Sequence, residues 1–410
     1  MSISERSLFG DAPRPVSLLT DADSELFTIA MALVPGIGAR RGNQLIEKLG
    51  SARAVFDCSR RELEGLGLSG SVAQSVASGC SFDEAIAQMD RAKALGIHLI
   101  PLDSAHYPAA LRTIADPPLV LFAKGNLALL ENPCIGVVGT RRPTTYGKAV
   151  AARLSRDLSE LGLTVASGMA RGVDTAAHVE ALRGRGKTIA VFGCGVDLIY
   201  PAENKALAAE IAAHGLILSE YPLGSPAYPQ NFPVRNRIVS GISLGILVVE
   251  GAQYSGSAIT ARIAMEQSRL VFAVPGNITS RMSWGPNLLI KQGAVLVQDA
   301  TDVLNAFPQD ARIRIYEQAY GPGGGKPATP EGGGVAGGES DGMASPRAQH
   351  SPAEARVLRV LRVDEGKTLD DLLDEFPEMS SSEIIAALFE LEMEGAIRQD
   401  AGQRYTRIWC

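Results

Sequence analysis

The chain has 410 residues and a formal net charge of -6, with 46% apolar and 20% charged residues. This composition supports a large buried core, argues against global disorder, and by length suggests roughly two to four domains. The start, MSISERSLFG, lacks the apolar core of a secretory signal, and no apolar run approaches the roughly 18 residues of a membrane span.

The five cysteines, Cys58, Cys80, Cys134, Cys194 and Cys410, are scattered and odd in number. With no Cys-x-x-Cys and no Cys/His cluster, neither a disulfide framework nor a zinc site is indicated, and a reducing cytoplasm is the expected compartment. Charge is unevenly spread. Residues 351–410 hold 7 Lys/Arg and 13 Asp/Glu, whereas residues 131–300 hold 16 Lys/Arg and 12 Asp/Glu. An acidic total is therefore compatible with a basic groove in the middle of the chain.

Residues 1–24 read as a tail, and residues 25–80 as a module of short helices. In LVPGIGARRGNQLIEKLG a Gly36-x-Gly38 turn leads into an amphipathic segment. This resembles a helix-hairpin-helix or SAM-like module whose turn amides can face a phosphate, and it is equally compatible with a helical protein-docking module. Residues 81–310 form the next domain. Its strands are read as CIGVVG, LTVASG, KTIAVFG, LILSEY, LGILVVE, RLVFAVPG and AVLVQ, with periodic helices between most of them. Nearly continuous Val/Ile/Leu strands alternating with helices predict a doubly wound, mostly parallel, Rossmann-like α/β sheet.

Residues 311–350 are read as a linker. Its part from 321 to 350 holds 10 Gly and 4 Pro, the composition of a flexible tether, with a reach on the order of 30 Å as a coil. Residues 351–410 then read as three helices and a hairpin, a winged helix with Ser351 as N-cap and Pro352 at the first helical position. Its third helix carries Glu383, Glu390, Glu392 and Glu394 and no Lys or Arg, and its second adds Asp370, Asp371, Asp374 and Glu375. Only the hairpin, with Arg398, Arg404 and Arg407, is basic. Docking on protein is expected here rather than duplex reading.

Ligands of an open parallel sheet bind beyond the carboxyl ends of its strands. The segments there are GTRRPTTYG, SGMARGVDTAAH, GCGVDLIYPAEN, EGAQYSGSAITA and VPGN. Small residues and helix N-termini suit a rim of amides that binds phosphate. No Gly-x-Gly-x-x-Gly follows the first strand, and no P-loop is present. Arg141 and Arg142 lie in a tight turn after a strand. Arg235 and Arg237 flank Asn236 in NFPVRNRIVSG, after Phe232-Pro233. Arg237 also fits a structural arginine paired with Glu220 or Glu250. Asp174 and His178 lie four residues apart on one helix face, where a helix-stabilising interaction is expected over an acid-base or metal pair.

These segments, with LILSEYPLGSPAYPQNFPVRNRIVSGIS and GPNLLIKQGA, resemble the DNA-processing protein A (Smf) family from about residue 97 to 310. The resemblance implies a single-stranded DNA-binding protein of natural transformation that protects incoming strands and helps load the RecA recombinase. It implies a homodimer through the Rossmann domain and no nucleotide cofactor or metal. Carried over by motif, the site holds Arg141, Ser167, Gly168, Phe232, Arg235, Asn236, Arg237, Ser255, Gly256 and Ser257, with Lys205 as a further member. Phe232 then offers a stacking surface worth roughly 1–3 kcal/mol per base. Two other readings of the scaffold are a nucleotide-cleaving phosphoribohydrolase and a nucleotide sensor. The former uses Pro-Gly-Gly-x-Gly-Thr-x-x-Glu. Here Gly256 and Thr260 match, but Ile263 stands where that glutamate would be.

Overall fold

The computed structural model describes residues 21–185, 187–253, 255–321, 351–362, 366–393, 396–400 and 404–408. The expected tail up to residue 20 and the Gly/Pro-rich segment 322–350 lie outside the described residues. The chain divides into two compact units. The smaller takes residues up to Lys124 with the segments Gly193–Leu198 and Leu218–Tyr228, and the larger takes the rest.

Six helices of the smaller unit span Asp21–Leu33, Ala39–Leu49, Ala52–Phe56, Arg60–Gly65, Gly70–Ala77 and Phe82–Ala94. Phe27, Phe56 and Phe82 pack together, with ring centroids 5.3 Å apart for Phe27–Phe82 and 4.8 Å for Phe56–Phe82. Phe82 opens the last helix, so the boundary expected between residues 80 and 81 cuts through one aromatic cluster. The observed unit instead runs on through strands β1 (His98–Pro101) and β2 (Val120–Gly125), an antiparallel pair in register His98↔Ala123. The Phe82–Ala94 helix also holds the two later segments. Arg91 pairs with Asp197 at 2.6 Å, and Gln88 exchanges two hydrogen bonds with the backbone of Leu223.

The larger unit contains strands β3 (Cys134–Val138), β4 (Thr164–Ser167), β5 (Thr188–Val191), β7 (Gly245–Val248), β8 (Leu270–Ala273) and β9 (Val295–Leu296), and the first two residues of β6 (Leu216–Ser219). The order β5-β4-β3-β7-β8-β9 is parallel throughout, with β6 beyond β5. Strands β3 to β7 are buried along their whole length, as their unbroken apolar runs require of a sheet covered on both faces. Helix Thr145–Glu160 turns Val150, Ala151, Leu154 and Leu158 toward this core, an i, i+4 stripe that also meets helix Val173–Arg183.

A second boundary differs from the sequence reading. The linker expected from residue 311 begins later, because Gln309–Tyr320 is a helix whose Ala311 and Ile315 are buried in the sheet core. The carbonyl of Ile315 lies 2.6 Å from where a Cβ of Gly162 would stand, and Gly162 has φ +99°, so only glycine fits under this helix.

The C-terminal residues form helices Pro352–Val360, Leu369–Glu375 and Ser381–Met393 with strands β10 (Lys367–Thr368), β11 (Ile397–Asp400) and β12 (Arg404–Arg407) in the order β10-β12-β11. Ser351 caps the first helix reciprocally with Glu354. Val357, Leu372, Ile384, Leu388 and Leu391 make a separate small core. Among the described residues no helix is long and apolar enough to cross a membrane.

Ile315→Ala tests the extended boundary. A core residue of the sheet loses about 2–5 kcal/mol on this truncation, whereas a tether residue loses nothing measurable. Urea unfolding of the full chain, followed by circular dichroism, separates the two outcomes.

Candidate functional site

After β3 the chain crosses to β4 on one side, and after β7 it crosses to β8 on the other. The two exits diverge between the paired ends Val138 and Val248, which is the topological switch point of the sheet. The crevice there is occupied by protein. Glu250, 2% exposed, accepts hydrogen bonds from the Thr144 amide at 2.9 Å and the Thr144 hydroxyl at 2.6 Å, at the start of helix Thr145–Glu160. Its carbonyl accepts from the Thr140 amide at 2.8 Å.

A second hollow lies above β3, β4 and β5. It is lined by Arg141, Gly168, Met169, Ala170, Arg171, Tyr200, Pro201, Phe232 and Arg235. The loop at 168–171 is held from below. Asp174, in the first turn of helix Val173–Arg183, accepts from the amides of Gly168 (3.1 Å) and Ala170 (3.2 Å). Asn204 donates to the Met169 carbonyl at 2.9 Å, and Thr175 to the Ala170 carbonyl at 2.8 Å. Met169 sits at φ +58°, a conformation costing about 1–2 kcal/mol for a non-glycine residue. The two bonds to Asp174 bracket that residue and offset the cost.

Phe232 links two other lining residues of the hollow. Its ring centroid is 5.3 Å from that of Tyr200, tilted by 36°, and Arg141 lies over it at 5.8 Å. Arg171 pairs with Glu203, both largely exposed. Surface pairs of this kind contribute about 0–1 kcal/mol, so an incoming anion can redirect the guanidinium.

The residues expected at the site separate into three groups. Arg141, Gly168, Phe232 and Arg235 line the hollow together. Arg142 and Lys205 are exposed but not among its lining residues, and Asn236 is half-buried on helix Asn231–Gly241. Ser167, Arg237, Ser255, Gly256 and Ser257 are elsewhere. Ser167 is buried and donates to the Val137 carbonyl at 2.6 Å. Ser255 and Ser257 bond each other at 2.7 Å beside the start of helix Gly256–Glu266, with open space at Gly256.

Burial changes the reading of the two arginines. Arg235 and Arg237 are only 4% and 7% exposed, because NFPVRNRIVSG is a helix that carries them inward. Arg235 donates to the Val191 carbonyl at 2.9 Å and passes under Gly168, where a Cβ would stand 1.8 Å from its Nη1. It is the floor of the hollow. Glu250, weighed as a partner for Arg237, bonds Thr144 instead. The expected rim of free amides is also revised. The Gly168 and Ala170 amides face Asp174, and that of Thr144 faces Glu250. Sequence reasoning missed Tyr200 and Arg171, whose signal was their place in the loops after β5 and β4.

Asp174 and His178 do not pair. His178 is fully buried, with Nδ1 2.7 Å from Thr188 Oγ1. That hydroxyl donates to the Val165 carbonyl, so it accepts from His178, and the ring carries its proton on Nδ1. Burial, aided by the charge of Arg235, lowers the His178 pKa to about 3. Burial raises the Asp174 carboxyl, opposed by Arg235 and by the Ala170 and Gly168 amides.

The family model of DNA recombination-mediator protein A matches residues 98–308. The chain is similar to the DNA processing protein DprA of Bacillus subtilis (strain 168), at 45% identity over 215 residues, 52% of this chain and 72% of that protein. It is similar to Protein Smf of Synechocystis sp., at 35% identity over 327 residues, 74% of this chain and 79% of that one. The X-ray structure of DNA processing protein A from Streptococcus pneumoniae aligns with a TM-score of 0.56 at 35% identity, covering 71% of this chain and 99% of that chain.

A histidine held neutral gives a signed prediction. Between its ordinary value of 6.5 and about 3, the unfolded chain binds a proton that folded His178 refuses. Stability therefore falls as pH drops through that window, by at most about 1.4 kcal/mol per pH unit for one proton. Urea midpoints between about pH 7 and 5 should decline less steeply for His178→Gln than for the parent chain. Equal slopes would show that His178 titrates normally.

Proposed function

Starting from the premise that the chain belongs to the DNA recombination-mediator protein A family, we propose that it binds single-stranded DNA in the hollow around Phe232. In this reading it protects incoming strands during transformation, acts as a homodimer through the sheet domain, and helps load the RecA recombinase.

The observation that carries the reading is the grouping of two aromatic rings, Tyr200 and Phe232, with the guanidiniums of Arg141 and Arg171 at one hollow. Single strands expose both phosphates and unpaired base faces, and this pairing of groups suits both. Tyr200 is 48% exposed and offers the more open ring. Stacking is indifferent to base identity and contributes roughly 1–3 kcal/mol per base. The exposed arginines meet phosphate, with Arg142 and Lys205 as outlying contacts. Arg235 and Gly168 fix the floor. Ser255, Gly256 and Ser257, after β7, would extend the track. Arg237 is better read as scaffold. A binding protein needs no catalytic pair, and two acids bonded to residues of the hollow are already engaged: Asp174 with backbone amides and Glu203 with Arg171.

For residues 351–410 the proposal is a winged helix that docks on protein. Its third helix buries Ile384, Ala387, Leu388 and Leu391 and leaves Ile385 and Phe389 exposed, with Glu390 and Glu392 beside them. An apolar and acidic face is repelled by phosphate and suits a basic protein surface.

Fluorescence anisotropy with labelled oligonucleotides tests the main reading. Affinity for single strands should exceed that for duplex of equal length, with no sequence preference, and should fall as salt rises. Equal affinity for duplex would refute it. Arg141→Ala should weaken binding and flatten the salt slope by about one counterion. Tyr200→Ala should weaken binding by roughly 1–3 kcal/mol with the slope unchanged. For Arg237→Ala the expected effect is a lower melting midpoint. A normal midpoint with lost DNA affinity would return that residue to the site.

A further inference from the structure

The switch point of an open α/β sheet is where a nucleotide phosphate is expected, on the N-terminus of the helix that follows the strand. Here that helix, Thr145–Glu160, is long, and its N-cap residue Thr144 is already bonded to a buried acid. We infer that Glu250 is a built-in anion standing where a ligand phosphate would stand, so that the sheet excludes nucleoside phosphates from its switch point.

Three features show that the place is built for a carboxylate. The contacts are complementary. One Glu250 oxygen accepts from the Thr144 amide at 2.9 Å and the other from the Thr144 hydroxyl at 2.6 Å, while that hydroxyl accepts from the Gly147 amide at 3.1 Å. The space is cut to fit. A Cβ on Gly147 would lie 2.1 Å from Glu250 Oε2 and 2.2 Å from Cδ, so any other residue there would expel the carboxylate. The backbone is fixed as well, since the Glu250 carbonyl holds the Thr140 amide at 2.8 Å and Val249 holds the Val138 carbonyl at 3.1 Å.

The charge logic follows. The positive end of the helix dipole and the Thr144 donors are the elements of an anion site, and they are spent on an internal side chain. A phosphate approaching this point meets a fixed negative charge at close range, away from bulk water. The Phe232 hollow has no such occupant, because Asp174 lies beneath its loop. This inference concerns the switch-point crevice, beside the Ser255–Ser257 segment that the DNA reading adds to its track, and does not rest on that reading.

The test uses the full-length protein, inorganic phosphate and AMP, with chloride at matched ionic strength as control. Thermal melting should show no phosphate-specific stabilisation of the parent chain. In Glu250→Ala, which empties the place, phosphate should raise the midpoint by several degrees, with AMP acting similarly. If Glu250→Ala folds only in phosphate, that is the same result. If it folds in neither buffer, Glu250→Ser decides, since it removes the charge, frees most of the space and keeps a hydroxyl to accept from Thr144. A phosphate-dependent rise absent from the parent sustains the inference, and none overturns it. It is also overturned if the parent chain is stabilised by phosphate as much as the variants, or if a folded Glu250→Ala gains nothing. None of these outcomes reads DNA binding, so failure here leaves the DNA proposal to its own test.

Discussion

Backbone amides where parallel strands end must be hydrogen-bonded whether or not a ligand is present. Two carboxylates meet that demand in this sheet. Asp174 takes the amides on either side of Met169, and Glu250 takes that of Thr144. Two glycines make the close approaches possible. Gly147 admits Glu250, and Gly168 lets Arg235 pass beneath the loop that Asp174 ties down. Because the amides are satisfied internally, the chain holds its loops in shape with nothing bound. An external anion is left with side chains, chiefly the arginines.

The hollow is accordingly built at two levels of stiffness. Its floor is buried: Arg235 donates to the Val191 carbonyl under Gly168, and its charge opposes the rise that burial imposes on the Asp174 carboxyl. Its surface is loosely held. The contact of Arg141 with Phe232 is worth about 0.5–1 kcal/mol at an exposed site, and the Arg171–Glu203 pair no more. A ligand can rearrange the upper groups at little cost while the lower ones keep their geometry. Such a division suits a chain-like ligand whose successive units differ, since the arginines can follow its backbone.

All seven strands read from the sequence of the sheet domain are present, because each is an unbroken apolar run between glycine-rich turns. Strands β1 and β2 were not read. The first has His98 exposed and Pro101 at its end, and it lacks that signature. Helix Gln309–Tyr320 was hidden by its own composition. Its core contacts are chiefly Ala311 and Ile315 among polar residues, next to a glycine-rich stretch. The site was legible as a set of loops and not as a geometry. Arginine in sequence signals charge, and nothing local shows that the helix at 231–241 buries Arg235 and Arg237. Tyr200 and Arg171 stand in the loop segments, but nothing local in the sequence gives either a neighbour. Only the fold places Tyr200 against Phe232.

Net charge says little about what such a chain can hold. Residues 351–410 alone carry a deficit of 6, as large as that of the whole chain, while the sheet region from 131 to 300 has an excess of basic residues. At physiological salt, fields decay over roughly 8 Å, so a polyanion at the hollow responds to Arg141 and Arg171 rather than to the total. Among the acids, those that matter to it are the ones within that distance and facing it. Glu203 is already paired with Arg171, and Asp174 holds the loop amides with the charge of Arg235 acting on it. What a strand would meet is thus a patch of exposed guanidiniums and rings over neutralised acid, and this local balance, not the pI of about 5.6, sets the sign of the interaction.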